Sequence, residues 1–224
     1  MLFLNYILIL NSLLNNISRR TIIKDTIISS LVMNNNNIHE KSKYKIPELD
    51  SDDETKTILH LDGNDMFFYG SVSVESCFHI QQQILKYQKT EIDKINLHIQ
   101  STGGSLLPTF GLIDQIQNSK IPIDTYIHGY VASAASLISM AGRNRYMSKN
   151  SMMLIHSLRT TIGEVNYNQL EDHYLNSKSM MNIVKNIYKE KSNIEDDELE
   201  YLLNHDYWLN STECLNYNLI DFIG

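Results

Sequence analysis

Four short segments of this chain carry side chains or backbone able to do nucleophilic or acid–base chemistry. Gln100-Ser101-Thr102-Gly103-Gly104-Ser105 sets two glycines between a strand-like run and a helix-like run. Glycine backbone can approach a ligand closely and turn its N–H groups outward, so this loop suits an anion or a developing oxyanion. A tight strand-to-helix turn is its commoner use. In His128-Gly129-Tyr130-Val131-Ala132-Ser133-Ala134-Ala135-Ser136, a strand leads into a glycine and a small-residue helix starts near Ser133. A serine there faces the positive end of the helix dipole, which favours negative charge beside it. A capping serine would look the same. Met152-Met153-Leu154-Ile155-His156-Ser157 delivers a histidine at the C-terminal end of an apolar strand, where open α/β sheets place ligands. A neutral imidazole at that point can take the proton of a serine hydroxyl, although a lone edge histidine is more often just satisfied by a neighbour. Asp206, between a helix and the extended piece Tyr207-Trp208-Leu209, reads either as a turn residue or as the carboxylate that fixes an imidazole tautomer. His205 beside it reads as surface.

The elements that would position these residues alternate. Thr57–Leu61 and Met66–Tyr69 have strand character, and Val74–Tyr87 has helical spacing. Ile95–Ile99 alternates as a strand does. Leu106–Ile116 reads as a helix with Pro108 in its first turn, where proline is tolerated. Ile123–Ile127 is a strand, Ala132–Met140 a buried helix, and Arg145–Met147 and Met152–Ile155 are short strands. A long helix follows over about Tyr167–Glu190, with Leu170, Tyr174, Met181, Val184 and Tyr188 on one face. At 1.5 Å per residue it is roughly 35 Å long, more than a small domain needs to cover its sheet, so it is expected to reach another subunit. Glu195–Leu203 is a shorter helix and Leu219–Ile223 a closing strand. Repeated strand-then-helix order predicts an α/β fold with a largely parallel sheet.

The 224 residues carry 26 acidic and 19 basic side chains, a net charge of −7, which argues against a nucleic-acid partner. The 42% apolar and 20% charged composition is that of an ordinary globular domain. Cys77 and Cys214 have no disulfide or zinc spacing, and the histidines are scattered, so neither a metal nor another cofactor is expected. The apolar start is interrupted by Asn5 and Asn11 and falls short of the roughly 20 residues that span a bilayer, so no membrane is expected. Residues 1–54 read as an extension, either disordered or a transit segment, with the Asn34–Asn37 tract and the Ser51–Glu54 acidic run inside it. Met33 offers an alternative start. Residues 55–224 read as the folded domain, in the cytoplasm or an organelle matrix.

Taken together and in order, the segments resemble the Clp protease proteolytic subunit family, including its phage-type members. Met66–Val72 is similar to the family's "FLxGxV", Ile99–Gly104 to "INSPGG", Gly129–Ala134 to "GxAASM", Met153–His156 to "xMIH", Asp206–Glu213 to "DxxLSAEE", and Asn218–Asp221 to "GLID". The resemblance runs from about Met66 to Ile223. It implies a spiral of ββα units, shared with crotonases, with a protruding handle helix. It implies a serine endopeptidase with Ser133 as nucleophile, His156 as general base, Asp206 as orienting acid, and the backbone N–H groups of Gly104 and Ala134 as oxyanion hole. It further implies polypeptide substrates, heptameric rings that stack in pairs into a chamber, and a ring ATPase unfoldase as feeder.

Departures from the family pattern bear on several of these. Thr102 replaces a proline and Ala134 a methionine. Ser157-Leu158 follow His156 where Gln-Pro is usual, and the glycine-rich strand after it is reduced to Gly163. Asn96, His98, Asn118 and His128 stand where the ATPase-docking pocket is usually apolar or aromatic, which weakens the unfoldase expectation and keeps a virus-head maturation protease in view. A crotonase-type acyl-CoA enzyme would not need all three triad members. A non-catalytic ring subunit would normally lack one. A signal-peptide peptidase relative with a Ser–Lys pair would need a firmer membrane anchor.

Overall fold

A computed structural model describes residues 57–224; the expected extension, residues 1–54, lies outside them. The chain opens with an antiparallel hairpin, β1 (Ile58–Asp62) and β2 (Asp65–Tyr69), turning at Gly63 with φ +60°. Helix α1 (Val74–Tyr87) follows, started by a capping box between Ser73 and Ser76. Then come β3 (Ile95–Ser101), α2 (Leu106–Gln117), β4 (Ile123–Ala132) and α3 (Ala134–Met140). The second half contains β5 (Arg145–Met147), β6 (Met152–Leu154), α4 (Tyr167–Lys191), α5 (Asp196–Leu203), β7 (Trp208–Asn210), α6 (Ser211–Asn216) and β8 (Phe222–Ile223).

The sheet runs β1-β2-β3-β4-β5-β8, parallel from β2 onward, as the α/β expectation required. Strand β4 is longer than its apolar run Ile123–Ile127 suggested and serves two neighbours. Thr125–Ile127 pair with β5, whereas Tyr130–Ala132 pair with β6. The register against β3 slips between Ile99↔Ile127 and Ser101↔Val131, so β4 has two extra residues there. Gly129 sits in the slip at φ +65°, where a Cβ would stand 2.7 Å from the Gln100 side chain. The closing strand is shorter than Leu219–Ile223. Strand β7 and helix α6 arise from the Trp208–Asn216 segment, with β7 antiparallel to β6.

Alternation along β3 splits the sheet into two faces. Ile95, Leu97, Ile99 and Ser101 are buried, whereas Asn96, His98 and Gln100 are half-buried on the other side. The first face joins Met66, Phe68, Ile123, Ile127 and Met147 in one core with Ile80, Ile84, Leu112 and Ile138 from the helices. The second carries a cross-strand ladder of rings, one per strand: Phe67, His98, Tyr126, Tyr146 and Phe222 are register neighbours on β2, β3, β4, β5 and β8. Their successive centroids lie 4.4, 4.8, 4.6 and 4.9 Å apart. A good pair of this kind adds about 0.5–1.5 kcal/mol beyond burial.

Helix α4 has 25 residues and buries only Val184 and Tyr188, both in its last third. Its first turns leave Tyr167, Leu170 and Tyr174 largely exposed, so among the described residues these apolar side chains are little covered. No helix among the described residues is long and apolar enough to cross a membrane. Arg145 ties the C-terminal part to β5. Its guanidinium bonds both oxygens of Asp221 at 2.6 and 3.0 Å and the carbonyls of Lys191 and Asn218.

Candidate active site

Ser133 occupies the single residue between β4 and α3. Its backbone sits at φ +56°, ψ −128°, a region that L residues with a side chain rarely adopt. The strain has a local cause. β4 must stop against β6, where the Ser133 N–H donates to the Leu154 carbonyl at 2.9 Å, and α3 must start at once. The turn is therefore sharper than a normal cap allows. The Ser133 hydroxyl makes no capping bond, so the ordinary role of a serine at a helix start does not apply. Ser133 lines a pocket of about 210 Å³ together with Thr102, Gly104, Ala134, His156, Arg159 and Tyr188.

Below the turn, a buried hydrogen-bond chain holds it. The Ser136 hydroxyl donates to the Ser133 carbonyl at 2.6 Å and lies 2.7 Å from the Tyr188 hydroxyl. Burial pushes the Tyr188 phenol well above its ordinary range, with Ser136 partly opposing, so it remains a neutral hydroxyl. The nucleophile turn and the long helix α4 are thereby joined through two side chains.

The diglycine loop closes the other side. Gly104 is bridged to Val72, whose N–H donates to the Gly103 carbonyl and whose carbonyl accepts from the Ser105 N–H, both at 2.8 Å. At Gly103, φ is +91° and a Cβ would lie 2.5 Å from the Ala132 carbonyl oxygen and 2.8 Å from the Ser133 Cβ. The loop therefore rests directly on the nucleophile turn, and only glycine fits. No hydrogen bond among the described residues takes up the N–H of Gly104 or of Ala134, the first residue of α3. Two donors near Ser133 are thus free to receive a negative oxygen.

His156 follows β6 and is half-buried in the same pocket. Its Nδ1 lies 2.6 Å from the Ser157 carbonyl oxygen. A carbonyl only accepts, so Nδ1 carries the proton and Nε2 is left as the basic nitrogen, the tautomer that a general base toward a hydroxyl requires. No hydrogen bond among the described residues joins His156 to the Ser133 hydroxyl.

Asp206 is placed differently from the triad expectation. It lies between α5 and β7, and both its oxygens are taken by Nη2 of Arg159, at 2.5 and 2.6 Å. The structure therefore brings Ser133, His156, Gly104 and Ala134 to one pocket, whereas Asp206 does not line it and is bonded to Arg159, which does. Sequence reasoning missed Arg159, Ser136 and Tyr188. Ser136 could have been found, because it lies three residues after Ser133 on one helix face. The partnership of Tyr188 with it spans 52 positions and left no local mark.

Residues 21–224 match the family model described as Clp protease. Among curated proteins, the chain is 28% identical over 192 residues to the ATP-dependent Clp protease proteolytic subunit 2 of Treponema denticola, covering 84% of this chain and 94% of that one. It is also 28% identical over 161 residues to the ATP-dependent Clp protease proteolytic subunit of Cyanophora paradoxa, covering 70% and 82%. Among solved structures, it superposes on a ClpP1 point mutant from Listeria monocytogenes with a TM-score of 0.65 at 21% identity, over 72% of this chain and 91% of the other, a likeness of fold.

Proposed function

Because the chain belongs to the Clp protease family and is a peptidase, we propose that Ser133 is its acyl-forming nucleophile, with His156 as general base and Asp206 as orienting acid. In this reading the Ser133 hydroxyl attacks a peptide carbonyl and passes its proton to His156 Nε2. The carbonyl oxygen becomes an anion received by the N–H groups of Gly104 and Ala134. His156 returns the proton to the leaving amine, and a water repeats the sequence to release the acyl group. The observation that carries the reading is the backbone of Ser133. A non-glycine residue held at φ +56° by the β4–β6 pairing, on a strand-to-helix turn that lines a pocket and with its hydroxyl uncapped, supports a presented nucleophile better than a helix cap.

The test is a fluorophosphonate label. It is expected to mark Ser133 in the parent and nothing in Ser133→Ala, which should also lack peptidase activity. Equal cleavage of a fluorogenic peptide by both proteins would end the reading.

Ring assembly is supported by exposed apolar side chains. Val74, Phe78 and Leu85 on α1 are 70%, 53% and 45% exposed, and Tyr167 and Tyr174 on α4 are 79% and 65% exposed. These stripes suit contacts within a ring and between rings, so the particle is proposed as heptameric rings that pair. Coupling to a ring ATPase is less well supported. Asn96 and His98 bond to Asp65 at 2.7 and 3.1 Å, and His98 Nδ1 lies 2.8 Å from His128 Nε2. The neighbouring Asn96 and His98 hydrogen bonds pull the Asp65 carboxyl below its usual range, and burial lowers His128. An apolar loop seated on this polar chain itself, and not on the flanking Phe67 and Tyr126 rings, would gain few large apolar contacts, each worth about 1.5–3 kcal/mol. The Asp65–Asn96–His98–His128 hydrogen bonds are the ground for proposing a peptidase that takes unfolded chains without an ATPase, although Phe67, Tyr126, Tyr146 and Phe222 share that face. Turnover of unfolded casein by the isolated particle checks this.

A further inference from the structure

We infer that Arg159 is a positioning residue that withholds Asp206 from His156, and that its release completes the catalytic set; the inference rests on the triad reading above. Both halves of the His156–Asp206 contact are engaged elsewhere. The Asp206 carboxylate accepts from Arg159 Nη2 through both oxygens, and His156 Nδ1 donates to the Ser157 carbonyl. Those two competing partners lie two residues apart on one irregular segment, residues 155–166, between β6 and α4. A single displacement of that segment removes both competitors together. No proton needs to move. Nδ1–H exchanges the Ser157 carbonyl for an Asp206 oxygen, Asp206 exchanges Arg159 for the imidazole, and Nε2 stays the base.

The segment is lightly held. Its backbone anchors near His156 are the Ser157 N–H on the Leu203 carbonyl at 2.7 Å and the Leu158 N–H on the Met181 sulfur at 3.1 Å. A thioether is a weak acceptor. The latch is also exposed, with the Arg159 and Asp206 side chains 68% and 57% accessible. An exposed ion pair biases an equilibrium by no more than about fivefold and is screened by salt, so the device tunes the active population without silencing it.

The test compares the parent, Arg159→Gln, Arg159→Lys and Asp206→Asn for kcat on a short fluorogenic peptide, from about 0.05 M to 1 M salt, a range over which screening tightens from beyond about 10 Å to about 3 Å. Arg159→Gln is expected to turn over about two- to fivefold faster than the parent at low salt and to be insensitive to salt. The parent should rise toward it as salt increases. Arg159→Lys keeps the cation and should keep the salt response. Sedimentation of each protein in the same buffers must show unchanged particle mass; a rise that tracks a larger particle overturns the inference. If Asp206→Asn is crippled but Arg159→Gln is no faster than the parent, the latch is wrong and the triad stands. If Asp206→Asn keeps full turnover, the triad reading fails and the latch with it. A lysine variant as fast and salt-insensitive as the glutamine one also overturns it.

Discussion

Replacing Gly103 with alanine separates the catalytic geometry from the stability of the fold. The new Cβ would lie 2.5 Å from the Ala132 carbonyl oxygen, 2.8 Å from the Ser133 Cβ and 3.0 Å from the Ala134 nitrogen. Ordinary carbon contacts are about 3.5 Å or more, so the neighbours must yield by roughly 0.5–1 Å. Two of the three are backbone atoms flanking the nucleophile, and none is the far end of a flexible side chain. Alanine at φ +91° adds backbone strain of about 1–3 kcal/mol. Against a net stability of about 5–15 kcal/mol this strain leaves the variant folded over most of that range. The displaced atoms, however, are those that aim the Ser133 hydroxyl and the Ala134 donor. A misplacement of about 1 Å costs on the order of 100-fold in rate, and loss of an oxyanion donor about 100- to 1,000-fold. The expected result is a urea midpoint lowered modestly, with an unchanged slope, and kcat/KM down by about 100-fold. Gly163→Ala is the control, because a Cβ there meets nothing within 4 Å. If Gly103→Ala keeps kcat/KM within about threefold of the parent, the diglycine loop does not set the nucleophile and the reasoning fails.

Other substitutions probe the remaining supports. Tyr188→Phe removes the hydroxyl that meets Ser136 under the nucleophile turn; it should cost about 1–2 kcal/mol in denaturation and lower kcat several-fold at constant KM. Asp221→Asn strands the mostly buried Arg145 guanidinium and should cost about 3–5 kcal/mol by urea melt. The hydrogen bonds from Arg145 hold the Asp221 carboxyl below its ordinary range, opposed by burial. Its contribution is therefore present above the unfolded carboxyl value of about 3.9 and is lost as pH falls through the lower folded value. Parent stability should drop more steeply than that of Asp221→Asn below about pH 4. Thr109→Val deletes a buried hydroxyl bonded to the Ser105 carbonyl at 2.8 Å, and should cost about 1 kcal/mol without changing KM, since the diglycine loop keeps its bridge to Val72.

The amino-acid sequence alone was enough for most of the elements in their order, helix α6 excepted, and for most of the pocket. Alternation in Ile95–Ser101 and helical spacing in Val74–Tyr87 are local consequences of which side chains must be buried, so they are written along the chain. Ser133, His156 and the two glycines were legible because each sits where one element ends and another begins. The course of β4 past Gly129 was not legible. Its last residues pair with β6, a partner about 22 positions away in the register, and only that pairing forces Ser133 into its left-handed turn. Nor could the sequence say which cation or imidazole a given carboxylate would meet. Asp206 reads the same whether it faces His156 or Arg159, because a salt bridge across 47 positions depends on how two loops lie against each other in space. Local pattern set the parts, since backbone geometry and burial act over a few residues. Tertiary packing chose the partners of Ser133, Asp206 and Tyr188, since those bonds exist only after distant segments have met.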